Sequence, residues 1–404
     1  MRDVVGVPSN GVFFVAESTV SQPIASESPS ASSLESLQDP RSEAKAKLYS
    51  RIKISIGIIE TVLFFVVSLA VLLFGVSTWL EGLAKQVSEN PYIALLVFAA
   101  LFGTGEMILG LPLSFYSGYY LEHKFQLSNQ TFWKWAWEGV KALLVGIPIT
   151  TPILLAFYYC LRNFGELWWF PVGTIMFFFS VVLARIAPVL IFPLFYKFKP
   201  VEDVNLKTRI MRLCEKVGVS VEGIFVFDMS KNTKKANAAF TGIGKSRRII
   251  LGDTLVANFT DEEIESVFAH ELGHYKLRHV WMMIAVGTVS SFLGLFLTAS
   301  LYAMSLAWFG FTAVDQLAAL PLLAIGLGIY SLVTSPLSNM LSRAHERAAD
   351  EYALRTTGNK ESFINAMQKL AKLNLADTAP HPLIEFLFYS HPSIKKRIQA
   401  AQRF

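Results

Sequence analysis

Charge is scarce in this chain, and so are the residues that cross-link or chelate. Of its 404 residues only 17 % are Asp, Glu, Lys or Arg, two are cysteine and seven are histidine. Two cysteines, Cys160 and Cys214, exclude a disulfide framework, so free thiols are expected. The low charged fraction, set against 53 % hydrophobic residues, excludes a single soluble enzyme of this length. The apolar patch at 12–16 is too short to span and has no basic start, so no signal peptide is expected there. Residues 1–50, rich in Ser, Pro and Glu, read as a disordered tail.

What the chain does have is long apolar runs. Six provide the roughly 20 residues that a bilayer crossing needs. They cover 54–80, 92–116, 140–161, 168–190, 281–302 and 317–337. Lys45, Lys47, Arg51 and Lys53 precede the first run, Lys124, Lys134 and Lys141 follow the second, and the chain is strongly basic over 197–279 and after 342. Basic loops stay in the cytosol, which puts both termini and the 197–279 segment on that side. These loops account for the formal charge of +5, and no nucleic-acid partner is needed. Glu60, Glu106 and Arg185 fall inside the runs, where an ionisable group is costly unless it faces water or a partner. A polar interior chamber would house them.

With histidine so rare, His270-Glu271-Leu272-Gly273-His274 carries information. Four residues apart on a helix, His270 and His274 share one face and can point at one metal ion, with Glu271 beside them. Thr260 and Glu263 frame a capping box, and Ile264, Val267, Phe268 and Leu272 supply an apolar stripe at helical spacing. Two imidazoles are half of a tetrahedral zinc shell, so a third protein ligand and an open position for water are required. Zinc lowers the pKa of such a water to roughly 7, and Glu271 is placed to take its proton.

Upstream, apolar spacing over 206–217 predicts a soluble helix, and 224–227, 236–241 and 247–251 read as short strands, the last two joined by a Gly242-Ile243-Gly244-Lys245 turn. A sheet edge just before a metal helix has a use, since it can hold an extended peptide by its backbone. Asn237 would add side-chain hydrogen bonds there, or else satisfy a turn.

Downstream, 338–351 lacks Gly and Pro, so the last run is expected to continue as a cytosolic helix. Asn339, Glu346 and Asp350 share one stripe of it. Glu346 is the expected third ligand and His345, about 100° away around the helix, its rival. Asp350 would accept a hydrogen bond from a ligand imidazole, and Asn339 would face substrate. His279 falls off the metal face and reads as structural. His391 and Arg397 would stabilise an oxyanion or hold a substrate carboxylate if the fold brings them to the metal; otherwise they are a surface turn and a solvated helix.

These motifs, with Ala187-Pro188 through Pro193-Leu194-Phe195, Asn237-Ala238, the stretch 248–255, Ser342-Arg343 and Ser390-His391-Pro392, make the chain resemble the type I CAAX prenyl endopeptidases over residues 54–400. Those are integral-membrane zinc metalloproteases. The resemblance implies zinc on His270, His274 and Glu346, Glu271 as general base, Asp350 beside the ligands or as proton donor, and Asn237, His391 and Arg397 against the peptide. It also implies substrates ending in Cys-a-a-X whose cysteine is prenylated. The family usually has seven spans, and this sequence offers six.

The expected fold is therefore an all-α polytopic membrane protein, a ring of about six to seven transmembrane helices around a chamber, with a cytosolic metalloprotease core containing a small β-sheet. The expected division is a tail at 1–50, four spans in 51–200, sheet and metal helix in 201–280, two spans in 281–341, and cytosolic helices in 342–404. One zinc ion, a peptide or prenylated peptide, and the lipid bilayer are the expected cofactor and partners. The end, Gln402-Arg403-Phe404, shows no retention signal, so a bacterial inner membrane is favoured over the endoplasmic reticulum. Alternatives are an HtpX-like quality-control protease and a transporter or scaffold keeping a structural zinc.

Overall fold

The computed structural model describes residues 40–241 and 248–404. Five helices of 12 residues or more come first: α1 Pro40–Leu73, α2 Val76–Val87, α3 Pro91–Phe115, α4 Phe132–Asn163 and α5 Trp169–Ile186. Most of the expected tail, and the turn at 242–245, lie outside the described residues. The part of the tail that is described is helical, which corrects the boundary: α1 starts at Pro40 and not near residue 50. Proline is well tolerated in a helix's first turn, and this extra length buries Ala46 and Tyr49, the latter packing with Leu121, Phe125 and Leu127. The first apolar run is also shorter than expected. Gly75 takes the left-handed conformation (φ 69°), ending α1 and starting the 12-residue α2, which is too short to cross a bilayer.

Four strands and the remaining helices follow: β1 Phe198–Pro200, α6 Val204–Lys216, β2 Gly223–Phe227, β3 Ala238–Thr241, β4 Arg248–Gly252, α7 Asp253–Asn258, α8 Asp261–Lys276, α9 His279–Leu306, α10 Leu320–Thr357, α11 Lys360–Leu373, α12 Pro382–Phe388 and α13 Ile394–Arg403. Six helices among the described residues are long and apolar enough to cross a membrane, built on α1, α3, α4, α5, α9 and α10. They touch in chain order, and α10 returns to α1. The α3–α4 junction closes through Tyr92 on Tyr158 at one end and Phe115 on Trp135 at the other. No residue of the most apolar windows of α4 and α5 is buried; their buried apolar residues Tyr158, Cys160, Leu161 and Val172 pack outside those windows in one cluster with Leu95 and Tyr302.

The sheet has the order β1-β2-β4-β3, with β2 and β4 parallel and both outer pairs antiparallel. Its inner strands and α8 share one apolar core, which includes Ile249, Leu251, Phe268, Leu272, Phe363 and Met367. Strand β3 is an edge, and it lies against α8. The 38 residues of α10 run unbroken from the membrane region into this core, so one rod links the two halves.

Candidate active site

Helix α8 is fixed at its start. Thr260 Oγ1 accepts from the Glu263 amide, and Glu263 Oε2 accepts from the Thr260 amide at 2.8 Å and from Lys369 at 2.6 Å. Glycine at 273 lets α10 come close: a Cβ there would lie 3.1 Å from Ala349 Cα and 3.2 Å from its carbonyl oxygen. That contact sets Glu346, one turn earlier on α10, opposite both histidines.

The result is a triangle of ligand atoms. His270 Nε2 and His274 Nε2 are 3.2 Å apart, and they lie 3.3 and 3.2 Å from Glu346 Oε2 and Oε1. Donors bound at about 2.0–2.1 Å around a tetrahedral zinc would stand about 3.3 Å from one another. Glu346 Oε2 is buried and has no hydrogen-bond partner, a costly arrangement unless a cation sits there. The donor set and its spacing therefore fit a metal ion. His345, the rival ligand, points elsewhere: it stacks on His279 with ring centroids 4.2 Å apart.

Around the triangle the partners are specific. His270 Nδ1 meets Asp350 Oδ1 at 2.8 Å. Arg397 grips the same carboxylate, Nε to Oδ2 at 2.8 Å and Nη2 to Oδ1 at 2.6 Å. Arg397 is thus buried and paired with Asp350, with its Nη2 also 3.9 Å from Glu346 Oε2, because a buried guanidinium needs a paired anion. His391 Nε2 reaches Glu346 Oε1 at 3.3 Å, so the C-terminal turn does arrive at the candidate metal ligands. The half-buried Asn339 amide donates to the Leu387 carbonyl at 2.9 Å, pinning α12. Asn237 immediately precedes the edge strand β3, with its side-chain oxygen buried and unpartnered. Glu106 likewise has a buried carboxylate oxygen without a partner, while Glu60 and Arg185 lie on exposed faces of their spans.

Burial disfavours a charge on His270, but the Glu346 and Asp350 carboxylates outweigh it and hold the imidazole up at about 10. The same field favours any cation placed among the three ligand atoms. Burial pushes the Glu271 carboxyl above its usual range, partly offset by the two imidazoles, and so makes it a stronger base. His391 is pulled down to about 4 by burial despite Glu346, so it is neutral at physiological pH.

His279 is what the sequence reading missed. Arg278 takes a left-handed conformation (φ 58°) that breaks α8 from α9 and turns the chain back, bringing His279 Nδ1 to 3.0 Å from His274 Nδ1. A helix extrapolated through Arg278 puts His279 off the metal face. Arg343, which the sequence marks only within the Ser342-Arg343 motif, donates to the carbonyls of Glu385 at 2.9 Å and Tyr389 at 2.5 Å, holding the turn that carries His391.

Comparison with known proteins agrees with this architecture. The family model described as peptidase family M48 matches residues 200–404, and one described as the CAAX prenyl protease N-terminal region, five membrane helices, matches residues 24–197. The chain is 30 % identical over 372 residues to the uncharacterized metalloprotease YhfN of Bacillus subtilis, covering 91 % of this chain and 87 % of that one. It is 33 % identical over 324 residues to CAAX prenyl protease 1 of Saccharomyces cerevisiae, covering 76 % and 71 %. The crystal structure of S. mikatae Ste24p superposes with a TM-score of 0.82 at 29 % identity, over 91 % of this chain and 90 % of that one. With a helical membrane ring in front and two imidazoles facing a carboxylate behind, the chain belongs to peptidase family M48 and is a multi-pass membrane metalloprotease.

Proposed function

We propose that this protein is a zinc endopeptidase that trims the carboxyl-terminal tails of membrane-associated, Cys-a-a-X-type peptides whose cysteine carries a prenyl group. The observation that carries the reading is the Glu346 carboxylate set 3.2–3.3 Å from both histidines. In support of the substrate class stand the CAAX prenyl protease names of several relatives and the six apolar membrane helices joined to the site through α10.

In this reading His270, His274 and Glu346 hold one zinc ion, which when bound supplies Lewis acidity toward water and the scissile carbonyl. Glu271 takes the proton from the attacking water and passes it to the leaving amine. His391, beside Glu346, stabilises charge developing on the carbonyl oxygen. Asp350 fixes the ring of His270, and Arg397 fixes Asp350. The substrate lies extended along the free edge of β3, with Asn237 at its start. The basic segments at 197–279 and after 342 support a cytosolic active site. The likeness to YhfN supports a bacterial inner membrane.

The test compares a farnesylated Cys-a-a-X peptide with its unmodified form, using wild type and Glu271→Gln. Cleavage of only the farnesylated peptide, lost in the variant, is expected. Equal cleavage of both peptides would end the claim of prenyl selectivity, and cleavage by the variant would end the mechanism.

A further inference from the structure

Behind the metal site lies a second cavity, of about 450 Å³, between α10, α12 and α13. Its charged lining is unequal: Arg343, Arg347, Lys396 and Arg397 against Asp350, Glu351 and Glu385. Most of these charges are already matched. Asp350 pairs with Arg397, Glu385 with Lys396, and Glu351 with Arg355. Arg343 is buried, donates to backbone carbonyls, lies over the Phe386 ring and shares the Glu385 carboxylate with Lys396, while Arg347 is exposed with no hydrogen bond or ion pair among the described residues. The cavity thus holds an uncompensated positive charge, which an anion would match.

Its depth in the membrane follows from α10. At about 100° per residue, Val333, Leu337, Met340 and Arg347 lie about 100–180° around the helix from Glu346, on the side away from the metal. Val333, Leu337 and Met340 are more than half exposed and apolar, as a lipid-facing stripe is. At 1.5 Å per residue, Arg343 and Arg347 stand about 4.5 and 10 Å beyond Met340, the range of the headgroup layer. Helix α12 is tied to the same level by the Asn339–Leu387 and Arg343–Glu385 hydrogen bonds, and it exposes Leu383, Phe386 and Phe388 there.

The geometry points to a lipid site: this cavity takes the phosphate of a negatively charged phospholipid, with Leu383, Phe386 and Phe388 set among the acyl chains. Its floor is the Asp350–Arg397 pair, and α12 leads into the turn that carries His391. A bound lipid would therefore steady both supports of the active site.

The test uses the full-length protein in nanodiscs of phosphatidylcholine with or without phosphatidylglycerol, reading retained lipid by native mass spectrometry. Wild type is expected to retain phosphatidylglycerol preferentially. Arg347→Ala, which breaks no contact of the fold, is expected to weaken that retention about fivefold, as for one cation at an anionic surface, and Arg347→Lys to restore part of it. Equal retention by wild type and Arg347→Ala would overturn the proposal. So would thermal stabilisation by inorganic phosphate equal to that by phosphatidylglycerol, since the ligand would then be a soluble anion.

Discussion

The Nδ1 atoms of His274 and His279 lie 3.0 Å apart, which gives His274 the outer anchor that Asp350 gives His270. For Nε2 to face the metal, His274 must carry its proton on Nδ1 and donate it to His279. The stacked ring of His345 holds His279 in place. Replacing His279 with Ala is expected to lower zinc affinity by about 10–100-fold, as loss of such an outer partner commonly does. Competition with a chelator of known affinity measures it, and an unchanged affinity would remove His279 from the site.

Glu271 and Glu346 are expected to fail in different ways. Glu271→Gln should retain metal and lose about 10²–10⁴-fold in kcat, the usual worth of a general base. Glu346→Ala should lose the metal itself. Elemental analysis beside peptide cleavage separates the two, and a metal-free Glu271→Gln protein would contradict the division of labour.

Gly273 sits where α8 and α10 touch. Ala is ordinarily the better helix former by about 1 kcal/mol, yet here its methyl would meet Ala349 backbone atoms at 3.1–3.2 Å. Gly273→Ala is expected to cost about 1–3 kcal/mol through overpacking and to move Glu346 away from the histidines. A rise in melting temperature with full metal content would refute the close approach.

Breaking the Asp350–Arg397 pair leaves the buried Asp350 carboxylate with only His270, 2.8 Å away, as a cationic partner. Both side chains are under 10 % exposed, so Arg397→Met is expected to cost about 3–5 kcal/mol. Thermal unfolding of the metal-free protein checks this apart from any effect on zinc. A loss below about 1 kcal/mol would mean that His270 alone compensates the Asp350 charge.

Metal-free protein should respond to alkali. His270 is held up at about 10, above its ordinary 6.5, because the folded site favours its proton. Its contribution to stability is complete below about 6.5 and is lost as pH rises through about 10. His391, pulled down to about 4, acts only on the acid side of that window. Melting temperature is thus expected to fall between these limits after chelation and to fall less with zinc, which replaces the proton. A flat profile in the metal-free protein would show that His270 is neutral there.

Much of this was legible in one dimension because it rests on periodicity. Apolar runs near the bilayer thickness located the spans, a four-residue spacing paired His270 with His274, and a seven- and four-residue stripe placed Glu346 and Asp350 on one face. Thr260 and Glu263 fixed the start of α8 by local hydrogen bonds alone. The errors fall where periodicity stops. Gly75 and Arg278 interrupt helices by a left-handed residue, and each moved what came after it.

The sequence by itself determined the membrane class, the metal helix and the pairing of His270 with His274, since each follows from spacing along one continuous stretch, while His345 stayed a rival to Glu346. Only the tertiary structure decided what the outer residues do. Arg397 turned to Asp350, Asn339 to α12 and His279 to His274 because, once buried, each polar group needed a partner, and that partner was brought by another element.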